Sequence, residues 1–353
     1  MPEFNQTEIW IGVVVVAVIA SVMLGFAISS VSHAGQQAKR KKKYLSLNEK
    51  RQRDYDTAED DLDDARRKLE KHNTVVIDLI HDLGDDFVGR DQAEQQIAFD
   101  EALQNMSVIR EVDEHSRIIV ILHTLGGYAR PAQMLATALK DHLRKSKIRK
   151  DRVVAYVPYV AMSGGTMIAL ACDKIVMGRS ASLGPIDTIF GSFPAEAYKH
   201  LVDEKGILAT QDLFVLLAHE AGKYEEYAKQ VSREIINEHH KAEDKPENFL
   251  ADHLSAGKMS HSQAISAKDA HDLGVNVTLK DDLMKSVYEY VDARIRMINT
   301  RIEKDEALAK QQEQHGGTAP PTTEPSDDGT VASSPDRMLE RTIQQSLRGF
   351  VRW

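Results

Sequence analysis

Short apolar runs alternate with longer amphipathic segments through the middle of this chain. Four runs rich in valine and isoleucine predict buried strands, at residues 75–80, 117–122, 153–157 and 174–177. The segments between them predict helices, among them 92–103 and 131–143. Strands that alternate with helices favour a parallel sheet with right-handed helical crossovers. The pattern therefore predicts an α/β domain, which we bound at residues 73–301.

Helical patterns dominate on both sides of these strands. An amphipathic segment at 211–240 and a shorter one at 281–301 predict helices in the second half of the domain. Before the domain, five apolar residues recur at three- and four-residue steps: Tyr55, Ala58, Leu62, Ala65 and Leu69. This spacing predicts a short helical stalk, within a segment that we bound at 39–72. Barely two heptads leave open whether the stalk is a coiled coil or a solvated single helix.

The N-terminal region carries an uncharged apolar stretch. Residues 9–30 are long enough to cross a bilayer as a helix, and the basic cluster 39–43 follows them. The positive-inside rule then predicts a single-pass membrane protein whose residues 1–8 lie outside and whose main domain is cytoplasmic. A cleaved signal peptide is the alternative, but its basic residues would precede the apolar core.

The C-terminal region changes composition twice. Residues 315–337 are rich in Gly, Pro, Thr, Ser and Asp and have little to bury, which predicts a disordered linker. Residues 338–353 regain an amphipathic helical pattern. That segment is predicted either to contact a membrane, a subunit or a partner, or to be a frayed terminus.

Composition narrows the classes of function. The formal net charge of -9 argues against nucleic acid as a partner. The single cysteine, Cys172, excludes a disulfide within the chain and lies in an apolar helical run, which is typical of a packing residue. The 14 histidines show no metal-ligand spacing, and no Gly-x-Gly-x-x-Gly follows a strand. We therefore expect neither a metal nor an organic cofactor.

The main candidate for chemistry is Ser163. It lies in Met162-Ser163-Gly164-Gly165, between the strand at 153–157 and a helix-forming run. A serine on a tight strand-to-helix turn presents its hydroxyl beside backbone N–H groups that can stabilise an oxyanion. This pattern is typical of a nucleophile, although strand–turn–helix glycines are also common in α/β proteins.

Two further loops are expected at the same edge of the sheet. Gly126 and Gly127 follow the second strand, and paired glycines let a backbone N–H approach an oxyanion. We predict Gly127 and Gly164 as the oxyanion donors. Five residues are predicted to wall the substrate pocket: Gly126, Gly165, Leu183, Gly184 and Pro185.

The base for Ser163 is less evident from the residues. The candidate histidines are His123, His200 and His219. A lysine is the alternative, because burial can lower the pKa of an amine toward neutrality.

Taken in order, the motifs at 123–127, 159–166, 183–187 and 193–195 resemble the serine dehydrogenase proteinase family. This family belongs with signal peptide peptidase A and the Clp-protease-like serine peptidases on the crotonase fold. The resemblance covers residues 74–285. It implies a Clp-protease/crotonase-like domain, but "dehydrogenase" finds no support in the nucleotide-binding motifs of this chain.

The resemblance also implies a mechanism and partners. Ser163 would be the nucleophile of a membrane-anchored serine endopeptidase, with a lysine base that we assign to Lys223. Lys199 is the runner-up, and Lys205 and Lys229 compete. Relatives suggest a homo-oligomer, a peptide or protein substrate and a stomatin-like partner. The alternatives are an inactive oligomeric scaffold on the same fold and a crotonase-like acyl-CoA enzyme.

Overall fold

The computed structural model describes residues 47–84, 95–190, 193–241 and 244–314. By its internal contacts the chain divides into two units. The described part of the smaller unit comprises residues 47–57 and 300–314, where Lys304 Nζ lies 4.4 Å from the centre of the Tyr55 ring. The larger unit comprises described residues from 58 to 299 and contains every strand described below.

Ten strands and nine helices are present within the described residues. The strands are β1 (Thr74–Ile80), β2 (Arg117–His123), β3 (Val153–Val157), β4 (Val160–Ala161), β5 (Lys174–Met177), β6 (Ser182–Leu183), β7 (Ile189–Phe190), β8 (Phe193–Pro194), β9 (Ile265–Ser266) and β10 (Val277–Thr278). The helices are α1 (47–69), α2 (Phe99–Glu111), α3 (Ala129–Lys145), α4 (Gly164–Leu170), α5 (Ala195–Lys205), α6 (Asp212–Ile235), α7 (Phe249–Leu254), α8 (Ala267–Asp272) and α9 (Met284–Gln314).

The main sheet has five parallel strands in the order β1-β2-β3-β5-β10. Val120 of β2 is paired with Ile77 of β1 on one side and Ala155 of β3 on the other. Valine and isoleucine fill these strands because branched side chains pack well on a pleated surface that is buried on both faces. The predicted α/β architecture with a parallel sheet and helical crossovers is confirmed.

Each face of the sheet has its own apolar cluster, because successive residues of a strand point to opposite faces. Ile118, Val120 and Leu122 belong to the cluster with α2, α3, α4 and α6. Ile119 and Ile121 belong to the other cluster, with residues of α1 and α9. Residues Ala65 and Leu69 of α1, which the sequence assigns to a stalk, are buried in that second cluster.

A small second sheet positions the candidate site. It has the order β4-β6-β9, with β4 parallel to β6 and β6 antiparallel to β9. A bridge between Thr124 and Ala161 joins β4 to the chain that leaves β2. The loops that follow β2 and β3 are thereby held side by side at the carboxyl edge of the main sheet.

One predicted helix begins later than its sequence pattern suggests. The pattern predicts a helix over 92–103, whereas α2 begins at Phe99. Ile97 has extended backbone because it forms a parallel bridge with Gly127. A tertiary contact therefore overrides the local helical pattern at this point.

The membrane prediction is corrected. Among the helices of the described residues, none combines the length and the apolar character that crossing a bilayer requires. The predicted span at 9–30 lies outside the described residues, as do residues 1–8, the basic cluster 39–43, and the C-terminal segments 315–337 and 338–353. For the part of the chain that the structure describes, the prediction of a single-pass membrane protein is wrong, and we withdraw it.

We expect acid to destabilise this fold partly through His240. Its Nε2–H donates to the carbonyl of Cys172 at 2.9 Å, and its Nδ1 accepts the N–H of Asn276 at 3.0 Å. Burial lowers the pKa of His240 from 6.5 to about 4, because a charged imidazole would lose water and Nδ1 is already in use. The unfolded chain therefore binds the proton first as pH falls below about 6.5, and stability is lost between that pH and about 4.

The loss attributable to His240 should reach about 2 kcal/mol at pH 5. Urea unfolding at pH 7 and pH 5 measures it. His240→Gln should flatten the pH dependence, whereas His271→Gln, at an exposed histidine, should leave it unchanged. Equal pH dependence in His240→Gln and wild type would contradict this assignment.

Candidate active site

Ser163 occupies a strained turn between β4 and α4. It is the N-cap residue of α4, with φ 53° and ψ -117°. A non-glycine residue with positive φ costs on the order of 1–3 kcal/mol and persists where surrounding structure enforces it, commonly at active sites. The side chain is buried, and its Oγ has no hydrogen-bond partner among the described residues. The local structure therefore presents the Ser163 hydroxyl at the N-terminus of α4 with no hydrogen bond to the described residues.

The Gly126–Gly127 loop lies directly against this turn. A Cβ at Gly126 would lie 2.8 Å from the Ser163 Cβ and 3.2 Å from the Gly164 N. Gly126 also has φ 102°, a conformation that glycine adopts readily. Glycine at this position thus permits the two loops to approach each other closely.

Two backbone N–H groups are free at this contact. A Cβ at Gly164 would lie 3.8 Å from the Gly127 N, so the two glycines adjoin. Within the described part of the chain, neither the Gly127 N–H nor the Gly164 N–H donates to an acceptor. The structure therefore brings Gly127 and Gly164 together with Ser163, in an arrangement suited to binding an oxyanion.

The predicted wall residues surround this turn. A Cβ at Gly165 would lie 2.6 Å from the Thr124 Cγ2, and one at Gly184 would lie 2.6 Å from the Met162 Cε. Leu183 and Pro185 are buried on either side of Gly184. Thr166 ties the two loops together, since its Oγ1 donates to the Ala161 carbonyl at 2.6 Å and accepts the Gly184 N–H at 3.0 Å.

The structure does not bring Lys223 to the Ser163 hydroxyl. Lys223 lies on α6 with an exposed side chain, and its Nζ contacts Glu220 Oε1 at 2.6 Å. Glu220 is one helical turn earlier and is also largely exposed. The pair is therefore a surface ion pair of the kind that contributes little to stability.

Lys199 and Lys229 share a buried carboxylate instead. Lys199 Nζ lies 2.9 Å from Glu225 Oε2, and Lys229 Nζ lies 2.8 Å from Glu225 Oε1. The hydrogen bond to Glu225 raises the pKa of Lys199, although partial burial opposes it. Burial opposes ionisation of Glu225, but its two lysine partners hold the pKa of that carboxyl below its usual value. Pattern reasoning missed Glu225, since its partner Lys199 lies on a different helix.

Among the described residues, none of the candidate histidines forms a hydrogen bond with the Ser163 hydroxyl. His200 and His219 are exposed on α5 and α6. His123 is buried, and its ring meets the Tyr159 ring edge-on at 5.4 Å. Burial lowers the pKa of His123 to about 4, because a charged imidazole would lose its water.

Two polar pairs near these loops were missed by sequence reasoning. Buried Asp187 contacts His261 Nδ1 through Oδ1 at 2.8 Å, and its Oδ2 has no partner among the described residues. His81 contacts Thr124 Oγ1 at 2.7 Å. Neither pair follows a recognisable spacing, because the partners come from distant parts of the chain.

A cavity of about 1110 Å³ lies elsewhere, at the amino-terminal edge of the main sheet. Arg152, directly before β3, lines it together with Lys140 and Arg233, whereas Ser163 does not. Parallel strands place their amino and carboxyl ends at opposite edges, so this cavity is not the site built around Ser163. Among the described residues, no group of three or more His, Cys, Asp or Glu side chains is arranged to hold a metal ion.

Comparison with known proteins gives relatives without an assigned activity and solved structures of several kinds. The chain is 31% identical over 212 residues to the uncharacterized protein MJ0137 of Methanocaldococcus jannaschii, spanning 60% of this chain and 71% of that protein. It is 28% identical over 199 residues to MJ1495 of the same organism, spanning 56% and 63% respectively.

Two solved structures illustrate the range of similarity. The 1510-N membrane-bound stomatin-specific protease is 18% identical, with a TM-score of 0.37, and covers 61% of this chain and 84% of that one. ClpP1 from Listeria monocytogenes is 13% identical, with a TM-score of 0.35, and covers 62% and 98%.

The family model of ClpP-like SDH-type serine proteinases matches residues 44–305, well over half of the chain. This match includes every loop that surrounds Ser163, and it agrees with the family that the ordered motifs predicted. The chain belongs to the ClpP-like SDH-type serine proteinases.

Proposed function

We propose that this protein is a serine endopeptidase in which Ser163 is the nucleophile and Lys223 the base. The observation that carries the proposal is the juxtaposition of a strained, buried Ser163 with the free N–H groups of Gly127 and Gly164. An acyl-transfer enzyme needs a presented hydroxyl and donors for the oxyanion that develops during attack. Both requirements are met within one pair of loops.

The proposed reaction proceeds in two steps. The Lys223 amine takes the Ser163 hydroxyl proton as Oγ attacks a peptide carbonyl carbon, and the carbonyl oxygen becomes an oxyanion bound by the Gly127 and Gly164 N–H groups. The lysine then returns the proton to the leaving amine as the peptide C–N bond breaks. A water molecule then attacks the acyl-enzyme as the lysine takes its proton, and the lysine returns that proton to the Ser163 Oγ as the ester bond breaks and the acid leaves.

The position of Lys223 along the axis of α6 supports its role as the base. Tyr227 of α6 donates to Gln133 of α3 at 2.8 Å, and Lys140 of α3 donates to the Glu234 carbonyl of α6. The two helices therefore run alongside each other in the same direction. Lys223 is one turn before Tyr227, about 6 Å along the axis, level with the first turn of α3 that follows Gly127.

The ion pairs favour Lys223 over Lys199. An exposed pair such as Lys223–Glu220 is easily exchanged for water. Lys199 is held by the buried carboxylate of Glu225, which raises its pKa and keeps the amine protonated, so that less free amine is available to take the Ser163 proton. A rotation of the Lys223 side chain, or assembly into a homo-oligomer, would complete the dyad. A stomatin-like partner stays a prediction of the motif resemblance.

A non-hydrolytic scaffold is the second candidate. The observation that favours it is the absence of any hydrogen-bond partner for the Ser163 Oγ among the described residues. On this alternative, the Ser-Gly-Gly turn would be retained for its packing.

Active-site labelling of the purified full chain tests the proposal. We expect a fluorophosphonate probe to modify wild type at Ser163 and a peptide library to be cleaved, while Ser163→Ala loses both signals by at least about a thousandfold. Asp269, an exposed residue on α8, provides the matched control, and Asp269→Ala should be labelled as wild type. Equal labelling of wild type and Ser163→Ala would favour the scaffold instead.

A further inference from the structure

A chain of mostly buried polar groups leads from α2 to the Gly126–Gly127 loop. Glu101 Oε2 lies 3.2 Å from His81 Nε2, and His81 Nδ1 lies 2.7 Å from Thr124 Oγ1. Thr124 Oγ1 in turn accepts the Gly126 N–H at 3.0 Å. When the His81 ring carries its proton on Nε2, every donor faces an acceptor: Nε2–H donates to Glu101, and the Thr124 O–H has both His81 Nδ1 and the Gly126 carbonyl, at 3.3 Å, within reach.

Because His81 and Thr124 are buried, water cannot readily take the place of their hydrogen-bond partners. His81 is 2% exposed and Thr124 is 0% exposed. A buried polar group that loses its partner incurs its full desolvation cost, so hydrogen bonds in such surroundings hold their geometry firmly. The described neighbours therefore restrict the Thr124 hydroxyl to one small region.

Thr124 contacts the neighbour of each candidate oxyanion donor, Gly126 beside Gly127 and Gly165 beside Gly164. Its Oγ1 holds the Gly126 N–H, and its Cγ2 methyl packs against Gly165 so closely that a Cβ there would lie 2.6 Å away. Its backbone also accepts the Met162 N–H at 3.0 Å. One side chain thus sets the distance between the glycine loop and the turn that carries Ser163.

The orientation of the Gly127 N–H follows from the carbonyl of Gly126. Ile97 N–H donates to that carbonyl at 2.9 Å. In a trans peptide the C=O and the following N–H point in opposite directions, so the Gly127 N–H is turned away from Ile97. With the Gly126 N–H held by Thr124 and its C=O held by Ile97, both peptide planes around Gly126 are fixed.

We propose that Thr124 and His81 are positioning residues of the oxyanion hole, acting through the Gly126–Gly127 peptide. The inference rests on the proposed peptidase function. Neither residue touches the reacting atoms: His81 orients the Thr124 hydroxyl, and Thr124 orients the peptide that supplies the Gly127 donor.

A matched pair at Thr124 separates the hydroxyl from the methyl. Thr124→Val keeps the methyl that packs on Gly165 but removes the Oγ1 acceptor, whereas Thr124→Ser keeps the acceptor. We expect Thr124→Val to lower kcat by about tenfold to a hundredfold with KM within about twofold, because the oxyanion exists only in the transition state. Thr124→Ser should retain kcat within about threefold.

A second pair tests His81. The Asn side chain can put an amide group where Nδ1 lies, so His81→Asn keeps a partner for Thr124. His81→Leu removes that partner and should reproduce the kcat loss of Thr124→Val. A purely structural role would instead lower the unfolding midpoint in both His81 variants without the rescue by Asn.

Amide hydrogen exchange of residues 124–128 in the full chain provides a readout that does not depend on peptidase activity. We expect these amides to exchange faster in Thr124→Val and in His81→Leu, while the other amides of the main sheet exchange as in wild type. In Thr124→Ser, the amides of residues 124–128 should exchange at the wild-type rate. If wild type and Ser163→Ala are labelled equally, the peptidase proposal fails, while this exchange pattern still supports the positioning of the loop. Thr124→Val matching Thr124→Ser in exchange would overturn the inference.

Discussion

Gly127→Ala should lose at least about a hundredfold of the fluorophosphonate labelling rate, the scale associated with loss of one oxyanion donor. The reason is steric. A Cβ at this position would lie 2.4 Å from the Ile97 N and 2.5 Å from the Ile97 O, and both are backbone atoms that no side-chain rotation can move aside. The loop must separate from Ile97, which turns the Gly127 N–H away from the Gly164 N–H. Labelling rates at several probe concentrations measure this effect.

Gly222→Ala provides the matched control for this substitution. Gly222 lies within α6, and a Cβ there would meet nothing within 4 Å. The change should stabilise the helix by about 0.5–1 kcal/mol and leave labelling unchanged. Gly127→Ala should in contrast lower the free energy of unfolding by about 1–3 kcal/mol, as overpacking does. A folded Gly127→Ala protein that is labelled at the wild-type rate would exclude Gly127 as an oxyanion donor.

Local sequence patterns located the nucleophile candidate because the chemistry of a turn is local. The signal consists of three consecutive stretches: an apolar run, a tight turn in which two glycines follow Ser163, and a helix-forming run. The four long strands and Gly127 were predicted for the same reason. The strands were predicted from runs of apolar residues, and Gly127 from the backbone conformations that only glycine adopts readily. Both signals lie within a few neighbouring residues.

The supporting contacts could not be predicted in this way. His81 and Thr124 are 43 positions apart, and His81 and Glu101 are 20 apart. Their hydrogen bonds depend on how β1, β2 and α2 pack, which no periodicity expresses. The late start of α2 has the same origin, because Ile97 is drawn into a bridge with a residue 30 positions later. Sequence reasoning thus identifies candidate reactive groups more readily than the groups that position them.

Replacing Lys223 by Met should abolish turnover, with kcat/KM falling by about a hundredfold to ten-thousandfold, the range for loss of a general base. The side chain is largely exposed and its Glu220 partner lies on the surface, so the variant should unfold within about 0.5 kcal/mol of wild type. Peptide cleavage and urea unfolding, measured on the same preparation, separate the two effects.

Lys199→Met should have the opposite effect, a less stable fold with cleavage retained, and it therefore distinguishes the two lysines. Its amine is one of two that neutralise the buried Glu225 carboxylate, so its loss should destabilise the fold by about 1 kcal/mol, a figure limited by solvent at an amine that is 39% exposed. Cleavage should stay within about threefold of wild type, since Lys229 still holds Glu225 in place.

Loss of turnover in Lys199→Met with full activity in Lys223→Met would transfer the role of base to Lys199. In that event Glu225 would have to release the amine before catalysis, because a lysine hydrogen-bonded to a carboxylate keeps its proton. Glu225→Gln would then raise the cleavage rate, whereas with Lys223 as the base it should only weaken the fold.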